Sequence, residues 1–306
     1  MKKNGIKQFL TLALLTIIFC TSIHTKDDIH LESEQYNIFL TATPRGGNNL
    51  LMACIKKILS HKIKWLGYGP NLLTQDIIDK LSPYNIILKS HLPYHQSVAD
   101  LITKNNIKVI FIIRDPRDQV CSKSFTLKNQ PKQDHNKDMH PSNYKPKRPP
   151  NIHQKYKNWH INDIITSVIK TESMLEKYVC YHEYKDFYNN FENITGANGL
   201  YSLYTPWIEH PQVYTVKFED LIGPDGGGSL ESQLIEIINI ANHIGISLSK
   251  EEAHAIASSL FGNSPTFRKG QIGDWKNHFT EEHKELFKKI AGQLLIDLGY
   301  ESDFNW

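Results

Sequence analysis

Residues 36–59 read YNIFLTATPRGGNNLLMACIKKIL, and the order of residue types along this stretch decides the fold. Tyr36–Thr43 is apolar and rich in strand-forming residues. Pro44-Arg45-Gly46-Gly47-Asn48-Asn49 follows, a turn whose glycines let backbone N–H groups converge on an anion. Leu50, Leu51, Ala53, Cys54, Ile55, Ile58 and Leu59 then recur at helical spacing. Strand, glycine turn and helix in this order form the cradle in which a helix N-terminus meets a phosphate. Arg45 adds a full positive charge to it. Taken alone, the pattern is equally that of a plain strand-to-helix turn. A nucleotide hydrolase would carry Gly-x-x-x-x-Gly-Lys-Ser/Thr, with the hydroxyl holding magnesium. Here the loop is shorter, lacks that lysine, and has Asn48 and Asn49 in the hydroxyl positions, so it makes little provision for a metal.

Outward from this unit the chain alternates strands and helices. Asn85–Leu88 reads as a second strand, Lys108–Ile113 as a third and Val213–Phe218 as a fourth. The third is a continuous β-branched run, as expected for a strand covered on both faces of a parallel sheet. Asp163–Tyr178, Leu230–Ile244, Lys250–Leu260 and Glu281–Leu298 have helical periodicity. The expected fold class is α/β: a doubly wound, mostly parallel sheet flanked by helices, in a single domain over residues 36–306. Between Lys123 and Trp159 the composition turns to Lys, Asn, Gln, His and Pro, which reads as a mobile surface loop within a variable region of about 123–198.

The chain has 306 residues, 40% of them hydrophobic and 22% charged, which excludes a disordered protein. A formal net charge of +3 is too small to argue for nucleic acid. Of the four cysteines, Cys20 lies in an apolar leader, while Cys54, Cys121 and Cys180 are widely spaced and form neither a CxxC pair nor a zinc pattern. They read as buried or free thiols. Lys2, Lys3 and Lys7 precede the nearly uncharged run Phe9–Ile23, so residues 1–25 read as a secretory signal peptide or an N-terminal membrane anchor, with 26–35 as a linker. This implies export or membrane association, with a cytoplasmic catalytic domain as the outcome for an uncleaved anchor.

Three further segments carry chemistry. Lys89-Ser90-His91-Leu92-Pro93 follows the second strand, where the carboxyl ends of a doubly wound sheet form the ligand crevice. A neutral His91 there is suited to taking a proton from an attacking hydroxyl. Arg114 leaves the third strand and Ser122 falls on the next helix, a pair that either shares a phosphate or belongs to a capped helix start. Phe267-Arg268-Lys269-Gly270-Gln271-Ile272-Gly273-Asp274-Trp275-Lys276 sets two cations before a glycine, which suits a phosphate or a basic surface loop.

Together the four segments resemble the signature regions of sulfotransferases that use 3′-phosphoadenosine 5′-phosphosulfate (PAPS), closest in motif to the cytosolic-type branch. The family's Pro-Lys-Ser-Gly-Thr-Thr is met by Pro44 to Asn49, its Lys-Thr-His-Leu-Pro by Lys89 to Pro93, and its Arg-x-Pro-x-Asp with a later Ser by Arg114 and Ser122. Its Arg-Lys-Gly-x-x-Gly-Asp-Trp-Lys is met by Arg268 to Lys276 without a gap, and Phe218 to Leu221 matches a further short motif.

The resemblance implies a P-loop NTPase-like sheet and sulfuryl transfer from PAPS to a hydroxyl or amine by in-line displacement, with His91 as base. It implies that Gly46, Gly47, Asn48 and Asn49 hold the 5′-phosphosulfate through backbone amides. Arg45 would stand at the bridging oxygen and Lys89 at the sulfuryl group. Arg114, Ser122, Arg268, Lys269 and Gly270 would bind the 3′-phosphate, and Tyr201, Ser259 and Phe261 the adenine. The family's stacking tryptophan after the first loop is Leu50 here. PAPS is the implied co-substrate, no metal is required, and the acceptor is a small molecule, lipid or carbohydrate. The competing expectations are a P-loop kinase or nucleotide hydrolase, and a catalytically inactive PAP- or glycan-binding module.

Overall fold

Runs of β-branched and aromatic residues with one or no charge can only be buried on both sides, and here they form adjacent parallel strands. The computed structural model describes residues 37–60, 73–81, 86–129, 155–170, 196–262 and 267–306. Its sheet contains β1 (Asn37–Ala42), β2 (Ile86–Lys89), β3 (Lys108–Ile113) and β4 (Val213–Lys217) in the order β2-β1-β3-β4. Each neighbouring pair is parallel, with Phe39 opposite Leu88 and Val109, and Ile110 opposite Leu40 and Tyr214.

The helices are α1 (Asn48–Leu59), α2 (Gln75–Leu81), α3 (Gln96–Lys104), α4 (Pro116–Lys128), α5 (Ile161–Lys170), α6 (Gly196–Ser202), α7 (Phe218–Leu221), α8 (Leu230–His243), α9 (Lys250–Ala257) and α10 (Glu281–Asp297). Because strand side chains alternate, the sheet divides the apolar residues into two cores. Phe39, Val109, Phe111 and Ile113 pack with α3, α5, α6 and α10 on one face. Ile38, Leu40, Ile110 and Ile112 pack with α1, α8 and α9 on the other. From β1 the chain steps to β2 on one side and to β3 on the other, so the winding reverses at β1. A crevice opens outside the carboxyl ends of strands at such a reversal.

The loop expected from Lys123 onward begins later. Lys123–Lys128 continue α4 because Lys123, Ser124 and Leu127 turn inward and are buried. Ser124 Oγ donates back to the Val120 carbonyl at 2.8 Å, so a polar composition conceals a buried helical face. The helix expected over Asp163–Tyr178 is described as Ile161–Lys170, and 171–178 lie outside the described residues, as do the leader, the linker and most of the variable region. Among the described residues no helix is long and apolar enough to cross a membrane. Cys54 and Cys121 are buried free thiols.

Candidate active site

The carboxyl end of β1 shapes the first loop. Gly46 donates its N–H to the Thr43 carbonyl at 2.9 Å, and a Cβ on Gly46 would fall 2.7 Å from Thr43 Oγ1. Gly47 has φ 108°, and a Cβ there would meet the Phe218 ring at 2.8 Å. Glycine is therefore required twice, once for space and once for conformation. Gly47 caps α1 without a side-chain hydrogen bond, and the first turn carries no acidic residue, so the positive end of the helix stays uncompensated. Arg45 also adopts positive φ (69°), and its Nε donates to Ser122 Oγ on α4 at 3.0 Å.

At the end of β2, the Ser90 N–H continues the ladder to the Leu40 carbonyl at 2.9 Å. Asn48 Nδ2 donates to the Ser90 carbonyl at 2.6 Å, and Lys89 Nζ donates to Asn49 Oδ1. His91 Nδ1 lies 2.9 Å from the Ala42 carbonyl. A carbonyl only accepts, so Nδ1 carries the proton and Nε2 is the lone-pair nitrogen of the neutral ring. Burial, with a further push from the Lys89 and Arg45 charges, takes His91 down to about 4 against the bond to Ala42. Burial, then the Lys56 charge, takes Lys89 down to about 8.

β3 delivers Arg114. Its Nη2 donates to the Gln271 carbonyl at 2.9 Å, and its guanidinium stacks 4.3 Å from the Phe218 ring centre. Asp118, almost fully buried in the first turn of α4, accepts the N–H groups of Gly273 and Trp275, both at 2.9 Å. It thereby fastens the Phe267–Lys276 segment to the helix that carries Ser122. In that segment Arg268 Nη2 and Lys269 Nζ reach the two oxygens of Asp274 at 2.5 and 2.9 Å. Burial would raise the Asp274 carboxyl, but hydrogen bonds from Arg268 and Lys269 outweigh it and hold it down to about 2. Gly270 has φ 64°, and a Cβ there would strike the Phe267 ring at 2.5 Å and approach Phe261 at 3.2 Å.

One cavity gathers these parts. It is lined by Arg45, Gly47, Asn48, Asn49, His91, Arg114, Ser122, Arg268, Lys269 and Gly270, from all four sequence segments. Five expected site residues, Lys89, Gly46, Ser259, Phe261 and Tyr201, are not part of that lining. Lys89 is buried and reaches the loop through Asn49, and Gly46 packs against Thr43. Ser259 Oγ donates to the Ile256 carbonyl at the end of α9, and the Phe261 ring meets the lining residue Phe267 edge-to-face at 5.2 Å. Tyr201 departs furthest from its expected adenine contact. It is 2% exposed, and its hydroxyl donates to the Arg114 carbonyl at 2.6 Å, so the phenol supports the end of β3 from within the core.

Sequence reasoning missed the apolar lining: Ala53, Phe218, Ile222, Leu260 and Phe267. Apolar residues carry no chemical signature, although Phe218 directly follows β4 and Phe267 directly precedes Arg268, and those positions are a usable signal. No group of acidic, histidine or cysteine residues among the described residues could hold a metal ion.

Comparison with known proteins extends over most of the chain. A family model described as "Sulfotransferase domain" matches residues 37–299. Sulfotransferase 2A6 of Mus musculus is 22% identical over 287 residues, covering 88% of this chain and 88% of its own. Sulfotransferase 6B1 of the same species is 26% identical over 286 residues, covering 89% of this chain and 82% of its own. Among solved structures, mouse sulfotransferase SULT7A1 complexed with PAP superposes with a TM-score of 0.56 at 17% identity, covering 90% of this chain and 93% of that one.

Proposed function

This chain belongs to the sulfotransferase domain family, and from that premise we infer that it moves a sulfuryl group from PAPS to a hydroxyl or amine of a small-molecule, lipid or carbohydrate acceptor. One observation carries the reading: Arg45, His91, Ser122 and Lys269, contributed by four separate segments, line a single cavity.

The lining suits a nucleotide with phosphates at both ends. Arg114, Ser122, Arg268 and Lys269 offer cations and a hydroxyl to a 3′-phosphate, while Gly47, Asn48 and Asn49 offer the start of α1 to the 5′ side. Arg114 Nε is buried without a partner among the described residues, a donor that an anionic oxygen would satisfy. Leu50, Ala53, Leu260 and Phe267 give the same cavity an apolar end fit for a base. The mouse structure named above holds PAP on the same fold.

When bound, PAPS supplies an activated sulfuryl group for in-line displacement. His91 is held by Ala42 with its Nδ1 protonated, and burial keeps the ring neutral, so Nε2 is the atom that takes the acceptor's proton. Lys89 and Arg45 bring positive charge to the first loop, where the departing phosphate oxygen gains negative charge. Their donors are already fixed by Asn49 and Ser122, so little reorganisation is needed during the reaction. A kinase or hydrolase reading needs a metal-holding hydroxyl in the loop, whereas the side chains there are amides bonded to Ser90 and Lys89. The apolar segment at residues 9–23 supports export or membrane anchoring on sequence alone.

Calorimetric titration with PAP, using ADP for comparison, tests the reading. PAP should bind at least about tenfold more tightly, because only it engages the cations around Ser122. No binding of PAP overturns the assignment.

A further inference from the structure

Asn48 and Asn49 stand where the resembling loop carries hydroxyls, and both side chains turn toward the end of β2. Asn48, 4% exposed, donates from Nδ2 to the Ser90 carbonyl at 2.6 Å. Asn49 accepts from Lys89 through Oδ1. The two bonds are opposite in polarity and each matches its partner, since a carbonyl needs a donor and an ammonium needs an acceptor. An amide also reaches one bond further from the backbone than a hydroxyl, and it offers both polarities.

The segment that receives these bonds is Lys89-Ser90-His91. It is tied to β1 as well, by the Ser90 N–H on Leu40 and by His91 Nδ1 on Ala42, both at 2.9 Å. These bonds tie the β2 end to both β1 and the first loop.

We propose that the Asn48 and Asn49 side chains are positioning residues: they hold Lys89 and the backbone of Ser90–His91 in place rather than serving as nucleotide ligands. This rests on the reading that Lys89 and His91 serve sulfuryl transfer. It gives the two amides a function that replaces direct grip on the 5′-phosphate. Binding is left to backbone N–H groups, and the side chains are reserved for alignment.

The wild type, Asn49→Ala, Asn49→Asp and Asn48→Ala decide it through three readouts. These are PAP affinity by calorimetry, the single-turnover rate of PAP formation from PAPS with water as acceptor, and the titration of Lys89 Nζ by NMR on nitrogen-labelled lysine. Asn49→Ala should keep PAP affinity within about twofold while the rate falls roughly tenfold to a hundredfold, as misplacement of catalytic groups does. Its Lys89 midpoint should fall, because the ammonium loses an acceptor, and Asn49→Asp should move that midpoint up. Asn48→Ala should show the same split between rate and affinity. An affinity loss as large as the rate loss, or neither loss, overturns the proposal for the residue concerned, and an unmoved Lys89 midpoint overturns it for Asn49. A wild type that fails to bind PAP sinks the PAPS reading instead, while the Lys89 titration, which needs no nucleotide, still decides the role of Asn49.

Discussion

Arg45 and Ser122, 77 positions apart in the chain, are joined by a hydrogen bond of 3.0 Å from the Arg45 guanidinium to the Ser122 hydroxyl. The loop after β1 and the helix after β3 thus share a contact at the mouth of one cavity. The arginine expected at a bridging oxygen leans toward the residues expected at the 3′-phosphate.

Ser122→Ala tests that arrangement. A hydrogen bond to a charged group is worth about 1.5–3 kcal/mol, so PAP should bind at least roughly tenfold more weakly. Affinity for AMP, which lacks the 3′-phosphate, should be unchanged. Calorimetry with both nucleotides checks it, and equal losses for the two would place Ser122 away from the 3′ end.

His91→Ala should lower turnover by about a hundredfold or more, the usual worth of a general base. PAP affinity should stay within about twofold, because the ring anchors on Ala42 rather than on the cationic lining. Loss of PAP binding with turnover retained would remove His91 from the base role.

The pH profile follows from two depressed values. His91 titrates at about 4, so kcat/KM should persist below pH 6.5 and fall only as pH approaches 4. Lys89 titrates at about 8, so the alkaline limb should begin near 8 and not near 10.5. Bound anion favours both protonated forms, and both limbs of kcat should therefore lie above those of kcat/KM. For stability the sign is that of a lowered histidine: the unfolded state binds more protons between about 4 and 6.5. The His91 contribution is complete above pH 6.5 and is lost as pH falls toward 4. Thermal melts across that window check it beside the rate profile.

Asp118→Ala should unfasten the Phe267–Lys276 segment, since one carboxylate holds two of its backbone N–H groups at 2.9 Å. Losing charge-assisted bonds of this kind costs about 3 kcal/mol, or roughly 5 °C in Tm for a chain of this size. PAP affinity should fall as well, because Arg268 and Lys269 lie on the released segment. Unchanged affinity in a folded variant would show that the segment holds its shape without Asp118.

The strands were legible where composition leaves no choice: Lys108–Ile113 spans the observed β3, since such a run is stable only when buried. The four polar segments were legible only in combination, through their order and their resemblance to family motifs, since each alone also fits a helix start or a surface loop. Lys123 was not, because its charge reads as solvent-facing while α4 turns it into the core. Tyr201 sits apart from its expected place for a related reason. The resemblance implies an adenine contact for it, but a buried phenol can serve any carbonyl, and here it serves that of Arg114. Lys89 bonds to Asn49 while His91 lines the cavity, and sequence spacing carries no record of which way these side chains point.

Asp274 bonds to both Arg268 and Lys269, one oxygen to each. An incoming anion competes with an internal counterion for those two donors, so stray chloride gains little by docking there. Only a group that meets several donors at once, as a phosphate monoester does, offers more than the carboxylate it displaces. On the proposed assignment of the 3′-phosphate, discrimination at this corner of the protein would be a contest between two anions, and the chain supplies the first contender itself.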